Sequence, residues 1–327
     1  MNPGTVRPAS GFQITSMCPQ DEPAAASAAV EPGDGAPVCP EQDSSVPEQS
    51  PVTDSAGAEP LPRTTFKMEL SFDGTAYHGW QRQPNGITVQ QVVEERLFRL
   101  FGEREQIRIQ GSSRTDAGVH ALGMVCSFSA PPSPYIPDWK LKKAMNRLLP
   151  DDIRVRSADV VRDGFNARFD ALAKSYVYVV NTGDINPFSG RYSWHMEDMT
   201  GIDALREAIK HVEGKHDFST FTVERGKIDD PVRTILRSEI VTFGPLVCMY
   251  FLGTGFLYKM VRSIVGALMF VGRGRMTPDE FRGILLACDR AKCKDTAPAR
   301  GLFLKRVFYE PDTWLDDLPD RPPFWLA

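Results

Sequence analysis

Gly111-Ser112-Ser113-Arg114-Thr115-Asp116-Ala117-Gly118-Val119-His120-Ala121 is the stretch on which the reading of the fold turns. Before it, Gln106–Gln110 alternates, with Ile107 and Ile109 on one face, and this predicts a strand. After it, Met124–Phe128 predicts a second strand. The connection carries an arginine, an aspartate, a histidine and two glycines. Glycine lets backbone bend through positive φ and approach a ligand closely. Charged side chains on a loop held by a rigid sheet form the usual layout of a site. Taken alone, the loop reads equally well as a solvated turn with a local Arg114–Asp116 pair.

Outward from this loop the elements fall into one order, twice. Lys67–Phe72 alternates as a strand, and Val89, Val92, Val93, Leu97, Leu100 and Phe101 recur at helical spacing behind a Thr88/Gln91 capping box. Strands at 106–111 and 122–129 follow, then a helix from Asp138 with Leu141, Ala144, Met145 and Leu148 on one side. A strand over Ile153–Val161 completes β-α-β-β-α-β. The second half predicts a strand at 174–180, a helix capped by Thr200 and strands at 233–242 and 246–252. Helices at 256–271 and 277–288 and a strand over Leu302–Tyr309 close it. The predicted fold is α+β: two tandem ferredoxin-like split β-α-β units, with joined antiparallel sheets and a central catalytic cleft. The predicted halves are 63–170 and 171–312, with 313–327 as a C-terminal tail.

Two pieces of the second half stand out. The run 256–271 is apolar almost all round, which predicts a buried helix, yet it holds Lys259 and Arg262. Lysine can reach water along its stem. A mid-helix arginine requires a carboxylate, because an unpaired buried charge is costly, and Asp116 is available. A structural ion pair and a functional one read alike at this level. On the strand Lys174-Ser175-Tyr176-Val177-Tyr178, the two tyrosines share a face opposite Val177. They suit core packing, and a tyrosine at a cleft also suits stacking on a base.

Composition divides the chain. Residues 1–62 hold one basic residue, Arg7, against nine acidic ones, together with eleven of the 26 prolines. Such a segment cannot bury enough surface to offset its ordering entropy, so an acidic, Pro/Ala-rich disordered leader is predicted. It lacks a secretory apolar core and is too acidic for a transit peptide. The whole chain is −4, but residues 63–327 carry 37 basic and 33 acidic side chains, which permits a polyanionic partner. Six cysteines include no Cys-x-x-Cys pair, which fits free thiols in the cytoplasm, and no apolar run is long enough to span a membrane. There is no phosphate-binding Gly-rich loop, dinucleotide fingerprint or Gly-x-Ser-x-Gly elbow. Asp116 and His120 are spaced for a shared metal only on a helix, which Gly118 disfavours. Basic residues (Arg82, Arg114, Lys140, Lys142, Lys143, Arg147, Arg168, Lys174) interleave with Tyr77, Trp80, Phe165 and Phe169, a mixture that suits RNA.

Arg114-Thr115-Asp116-Ala117-Gly118-Val119-His120-Ala121 resembles the active-site motif of the TruA family of tRNA pseudouridine synthases. Further matches follow in the family's order. They are Phe72–Gln83, Asn146–Ile153, Phe165–Phe169, Tyr176–Tyr178, Met260–Gly266 and Gly301–Leu304, all within roughly 65–311. Ser113 stands where glycine is common and Asn166 where histidine is expected. The resemblance implies isomerisation of uridine to pseudouridine in the anticodon stem and loop of tRNA, with no cofactor and no metal. It implies Asp116 as nucleophile, Arg262 as its counter-ion, Tyr176 as the ring stacked on the detached base and Arg114 as the group that displaces the target nucleotide. Gln81, Arg82, Lys140, Lys143, Arg147 and Arg168 are further RNA-binding candidates. A homodimer in the cytoplasm, each tRNA crossing both subunits, is also implied. The alternative is a catalytically inactive tRNA-binding protein of the same fold.

Overall fold

A computed structural model describes residues 62–103, 105–223, 230–293 and 295–324. The predicted leader lies outside these residues except for Pro62. The first half contains β1 (Thr64–Phe72), α1 (Val89–Leu100), β2 (Gln110–Gly111), β3 (His120–Ala130), α2 (Asp138–Leu148) and β4 (Ile153–Val160). The second contains β5 (Ala173–Asn181), α3 (Pro187–Tyr192), β6 (Trp194–His195), α4 (Ile202–Lys210), β7 (Gly214–Asp217), β8 (Val232–Phe243), β9 (Leu246–Gly253), α5 (Met260–Gly272), α6 (Pro278–Leu286) and β10 (Leu302–Phe308).

One sheet runs through both halves in the order β4-β1-β3-β10-β5-β9-β8-β7. In each half the order is that of a split β-α-β unit: β4-β1-β3-β2 in the first, β10-β5-β9-β8 in the second. Apart from the short parallel pairing of β6 with β5, the ladders within each half are antiparallel, whereas the seam between them, β3 to β10, is parallel and short. Only His120 and Ala121 of β3 pair across it, with Phe303 and Leu304. On the same edge of β3, Ser127 and Cys126 pair with β2. The edge of β3 thus changes partner along its length, and residues 112–119 leave the sheet at that change.

Several expectations need correction. Only Gln110–Gly111 of the strand predicted at 106–111 joins the ladder. The reason is local: Glu94 Oε1 accepts from the Ile109 N–H (3.1 Å) and Gln90 donates to the Ile109 carbonyl (3.3 Å). Side chains of α1 therefore satisfy backbone that a neighbouring strand otherwise satisfies. The helix predicted from 256 starts at Met260, because Lys259 caps it in the left-handed region at φ 58°. Arg262 is consequently in the first turn of α5, not mid-helix. Thr200 does not cap α4, whose N-cap is Gly201. Thr88 caps α1 by accepting from the Gln91 N–H (3.3 Å), but the Gln91 side chain turns to Glu95, so the box stays half-made.

Helices cover one face of the sheet, over a core that includes Met68, Leu70, Leu97, Tyr178, Met249, Ile264 and Leu268. On the other face of the second half, Val177, Val179, Tyr250 and Phe303 pack under Trp314, Leu318 and Phe324. Both faces of β5 and β9 are buried, which explains why β9 is buried at every residue. The segment predicted only as a tail therefore completes a core. Asp317, within it, is buried and accepts from Ser175 Oγ (2.6 Å), Lys305 Nζ (2.5 Å) and Tyr250 (3.2 Å).

Candidate active site

The partner change along β3 opens a cleft of about 810 Å³. The first half supplies Trp80, Gln81, Ser113, Arg114, Asp116 and Arg168; the second supplies Lys174, Tyr176, Arg233, Phe256 and Lys259. A smaller hollow of about 40 Å³ adjoins it, walled by Thr115, Asp116, Tyr176, Met260 and Arg262.

The loop 112–119 is braced from two sides. From the first half, the Trp80 N–H donates to Thr115 O (3.1 Å) and the Gly118 N–H donates to Tyr77 O (3.3 Å). The close approach demands glycine at 79, which lies at φ +83° and where a Cβ meets Thr115 O at 2.4 Å. Gly118 turns the loop back toward the sheet at φ +78°. From the second half, Lys174 Nζ donates to Ser112 O (2.6 Å), and the Ser113 and Tyr176 hydroxyls lie 2.8 Å apart. Lys174 and Tyr176 are two apart on β5, so one face of one strand holds two successive loop residues.

Asp116 meets Arg262 across the seam, Nη1 to Oδ2 at 2.5 Å, with both side chains largely shielded. Arg262 Nε also donates to Ala297 O (2.7 Å), which fixes the guanidinium from a second direction. The ion pair weighed from the sequence is thus present, and Arg114 is left exposed at the rim of the cleft. Tyr176 is buried against the edge of Phe256, centroids 4.8 Å apart. Burial pushes its phenol up to about 12; the nearby Asp116 charge adds to this and the Ser113 bond opposes it. Burial, with the charge of Arg168, brings Lys174 down to about 8.

His120 belongs to a different cluster. Its ring is buried; Nδ1 lies 3.1 Å from both the Gly74 N–H and Asp73 Oδ1, and Nε2 lies 3.2 Å from Arg300 O. Burial lowers its pKa against the pull of Asp73. Asp73 in turn meets Arg191 (2.8 Å) and Tyr192 (2.9 Å) of the second half. Asp116 and His120 therefore face different partners rather than one shared ligand. Asn166 caps a turn by accepting from the Arg168 N–H (2.9 Å) and the Phe169 N–H (3.2 Å), and this turn carries Arg168 to the cleft.

The remaining candidates separate. Gln81 and Arg168 line the cleft with Arg114. Arg82 does not: its Nε donates to the buried Glu94 (3.2 Å). Lys140, Lys143 and Arg147 lie on α2 beside Trp139, which is 71% exposed, away from the cleft lining. Phe256 was missed as a cleft wall because its apolar run reads as continuous helix, whereas the helix begins only at Met260. No group of three or more potential metal-ligating side chains forms among the described residues, and no helix among them is long and apolar enough to cross a membrane.

Comparison with known proteins places the same segments together. A family model described as tRNA pseudouridine synthase matches residues 70–170 and 208–310. The chain is 42% identical over 244 residues to tRNA pseudouridine synthase A of Exiguobacterium sibiricum, covering 75% of this chain and 96% of that one. It is 41% identical over 247 residues to the protein of that name from Bacillus subtilis, covering 75% and 99%. For the Geobacillus kaustophilus protein of the same name the identity is 42% over 257 residues, covering 78% and 98%.

Proposed function

The chain belongs to the tRNA pseudouridine synthase family, and on that premise we propose where on tRNA it acts and which residues carry the isomerisation. The substrate is a uridine of the anticodon stem and loop. The glycosidic bond from N1 to C1′ breaks, the base turns, and C5 bonds to C1′. N1 gains a proton as C5 loses one, so no atoms are exchanged overall. A carboxylate nucleophile serves such a step, and Asp116 fills that role. Its Oδ2 is held by Arg262, which leaves Oδ1 to bond to the target nucleotide; that bond breaks again before product leaves, which restores the carboxylate, and the fixed guanidinium needs no reorganisation during reaction.

Tyr176 provides the ring on which the detached base rests, held in place by Phe256. Arg114 at the rim displaces the target nucleotide, because a stacked base must leave its stack to react. Gln81 and Arg168 contact the arm inside the cleft, and Lys140, Lys143 and Arg147 contact RNA from α2. The enzyme acts as a cytoplasmic homodimer and needs neither cofactor nor metal.

The observation that carries this reading is the Asp116–Arg262 pair inside a cleft that also holds Tyr176. Mapping pseudouridine in a tRNA transcript treated with the purified protein tests the site. Product confined to the anticodon stem and loop agrees; product elsewhere with an unmodified anticodon arm contradicts it.

A further inference from the structure

Ser113 has no part in the chemistry described so far, yet it bears on both residues that do. It precedes Asp116 by three positions on the same loop and lines the same cleft. Its hydroxyl is 2.8 Å from that of Tyr176. The next residue back, Ser112, is fixed through its backbone: its N–H donates to Val125 O (2.8 Å) and its carbonyl accepts from Lys174 (2.6 Å). Ser113 therefore extends from an immobilised peptide. Tyr176 is gripped differently at its two ends. Its backbone is paired in β5 between β9 and β10, and its ring meets the edge of Phe256. Rotation of the ring about its Cβ–Cγ bond leaves the hydroxyl on the axis, but swinging of the whole side chain moves the hydroxyl. A hydrogen bond at the hydroxyl opposes that swing.

We infer that Ser113 is a positioning residue for the isomerisation: its hydroxyl ties the tip of Tyr176 to the loop of Asp116, so that ring and carboxylate keep one spacing while the base is detached. The inference rests on the reading of Tyr176 as the stacking ring. A tie of this kind acts on the chemical step, when the base has only the ring to hold it, and not on capture of tRNA, which is made over a wide charged surface.

The test uses the full chain with tRNA, reading the single-turnover rate of pseudouridine formation and the Kd for tRNA separately. Ser113→Ala lowers the rate about fivefold, the factor expected for one neutral hydrogen bond, and leaves Kd unchanged. Ser113→Thr, which keeps the hydroxyl, restores the rate to within about twofold of the parent. Tyr176→Phe removes the same bond from the other side, so adding Ser113→Ala to it brings no further loss. An unchanged rate in Ser113→Ala overturns the inference, as does an equal further loss in the Tyr176→Phe background. Tyr176→Ala separates the two claims. If it keeps the parent rate, the stacking role of Tyr176 is wrong; if it is inactive while Ser113→Ala is fully active, only the role of Ser113 is wrong.

Discussion

The two halves of the sheet share a strand order and differ most at one corresponding hairpin. In the second half, β8 and β9 pair from Ile235 and Gly253 up to Phe243 and Leu246, and only Gly244 and Pro245 intervene. In the first half, β2 and β3 pair at two positions, and residues 112–119 fill the space where a ladder runs in the other copy. The tight hairpin pairs through its own ladder, and the Pro245 carbonyl of its turn accepts from the Thr182 N–H (2.9 Å). The open one has its backbone satisfied from outside, by Trp80, Tyr77 and Lys174. The difference teaches how a site is made from a repeated frame: one copy stays closed, and the other exchanges ladder for a loop that the second half and the opening segment hold in place.

After loss of the Asp116 carboxylate itself, the largest expected effect follows from cutting the tie between halves at the ion pair. Arg262→Ala leaves the Asp116 carboxylate shielded and unpaired. Turnover falls on the order of 100-fold, the scale for losing one preorganised charged donor. Stability falls by about 2–3 kcal/mol, less than for a fully buried pair because both side chains keep some exposure. Single-turnover kinetics and denaturant melts check the two.

Glycine substitutions probe the comparison itself. Gly79→Ala forces a Cβ against Thr115 O and moves the open loop, so activity falls about tenfold or more along with stability. Gly244→Ala, at φ +57° with nothing within 4 Å, costs about 1 kcal/mol of stability and no activity. Equal effects on activity from both changes break the contrast between a functional and a structural hairpin.

A smaller effect is expected from Lys174, whose ammonium loses its proton near pH 8. Below that value it adds a positive charge to the cleft; above it the charge is gone. Affinity for tRNA therefore falls as pH rises through about 8, and Lys174→Gln removes that step from a binding titration. Stability runs the other way. The folded pKa lies below that of the unfolded chain, so the unfolded state holds more protons between about 8 and 10.5. The contribution of Lys174 to stability therefore rises with pH over that window.

The order of the longer elements was legible because each carries its own period, as with the alternation of β1 and the helical spacing in α1; α3, β6 and β7 are too short to show one and were not read. The Asp116–Arg262 pair was legible in part, because a charge within an apolar run requires a partner. What brings it about was not. Arg262 reaches Asp116 from a first turn that exists only because Lys259 adopts a left-handed conformation, and nothing in an apolar run beginning at Phe256 marks that break. Ties between distant residues, such as Lys174 to Ser112 or Tyr176 to Ser113, depend on strand register across the seam, which has no local signature. The Arg82–Glu94 pair was not legible for a related reason: the two are twelve residues apart, and Glu94 lies on a helix whose buried face otherwise reads as apolar. The segment after β10 looked like a tail because its Trp314, Leu318 and Phe324 are too widely spaced to form a periodic pattern.

The central claim is that the open hairpin exists to hold the Asp116 carboxylate, and Asp116→Asn tests it most directly. The variant keeps size and shape and removes the charge. Pseudouridine formation in tRNA is predicted to fall below detection, while the thermal melt remains cooperative and tRNA affinity is largely kept. Near-parental turnover by Asp116→Asn contradicts the account.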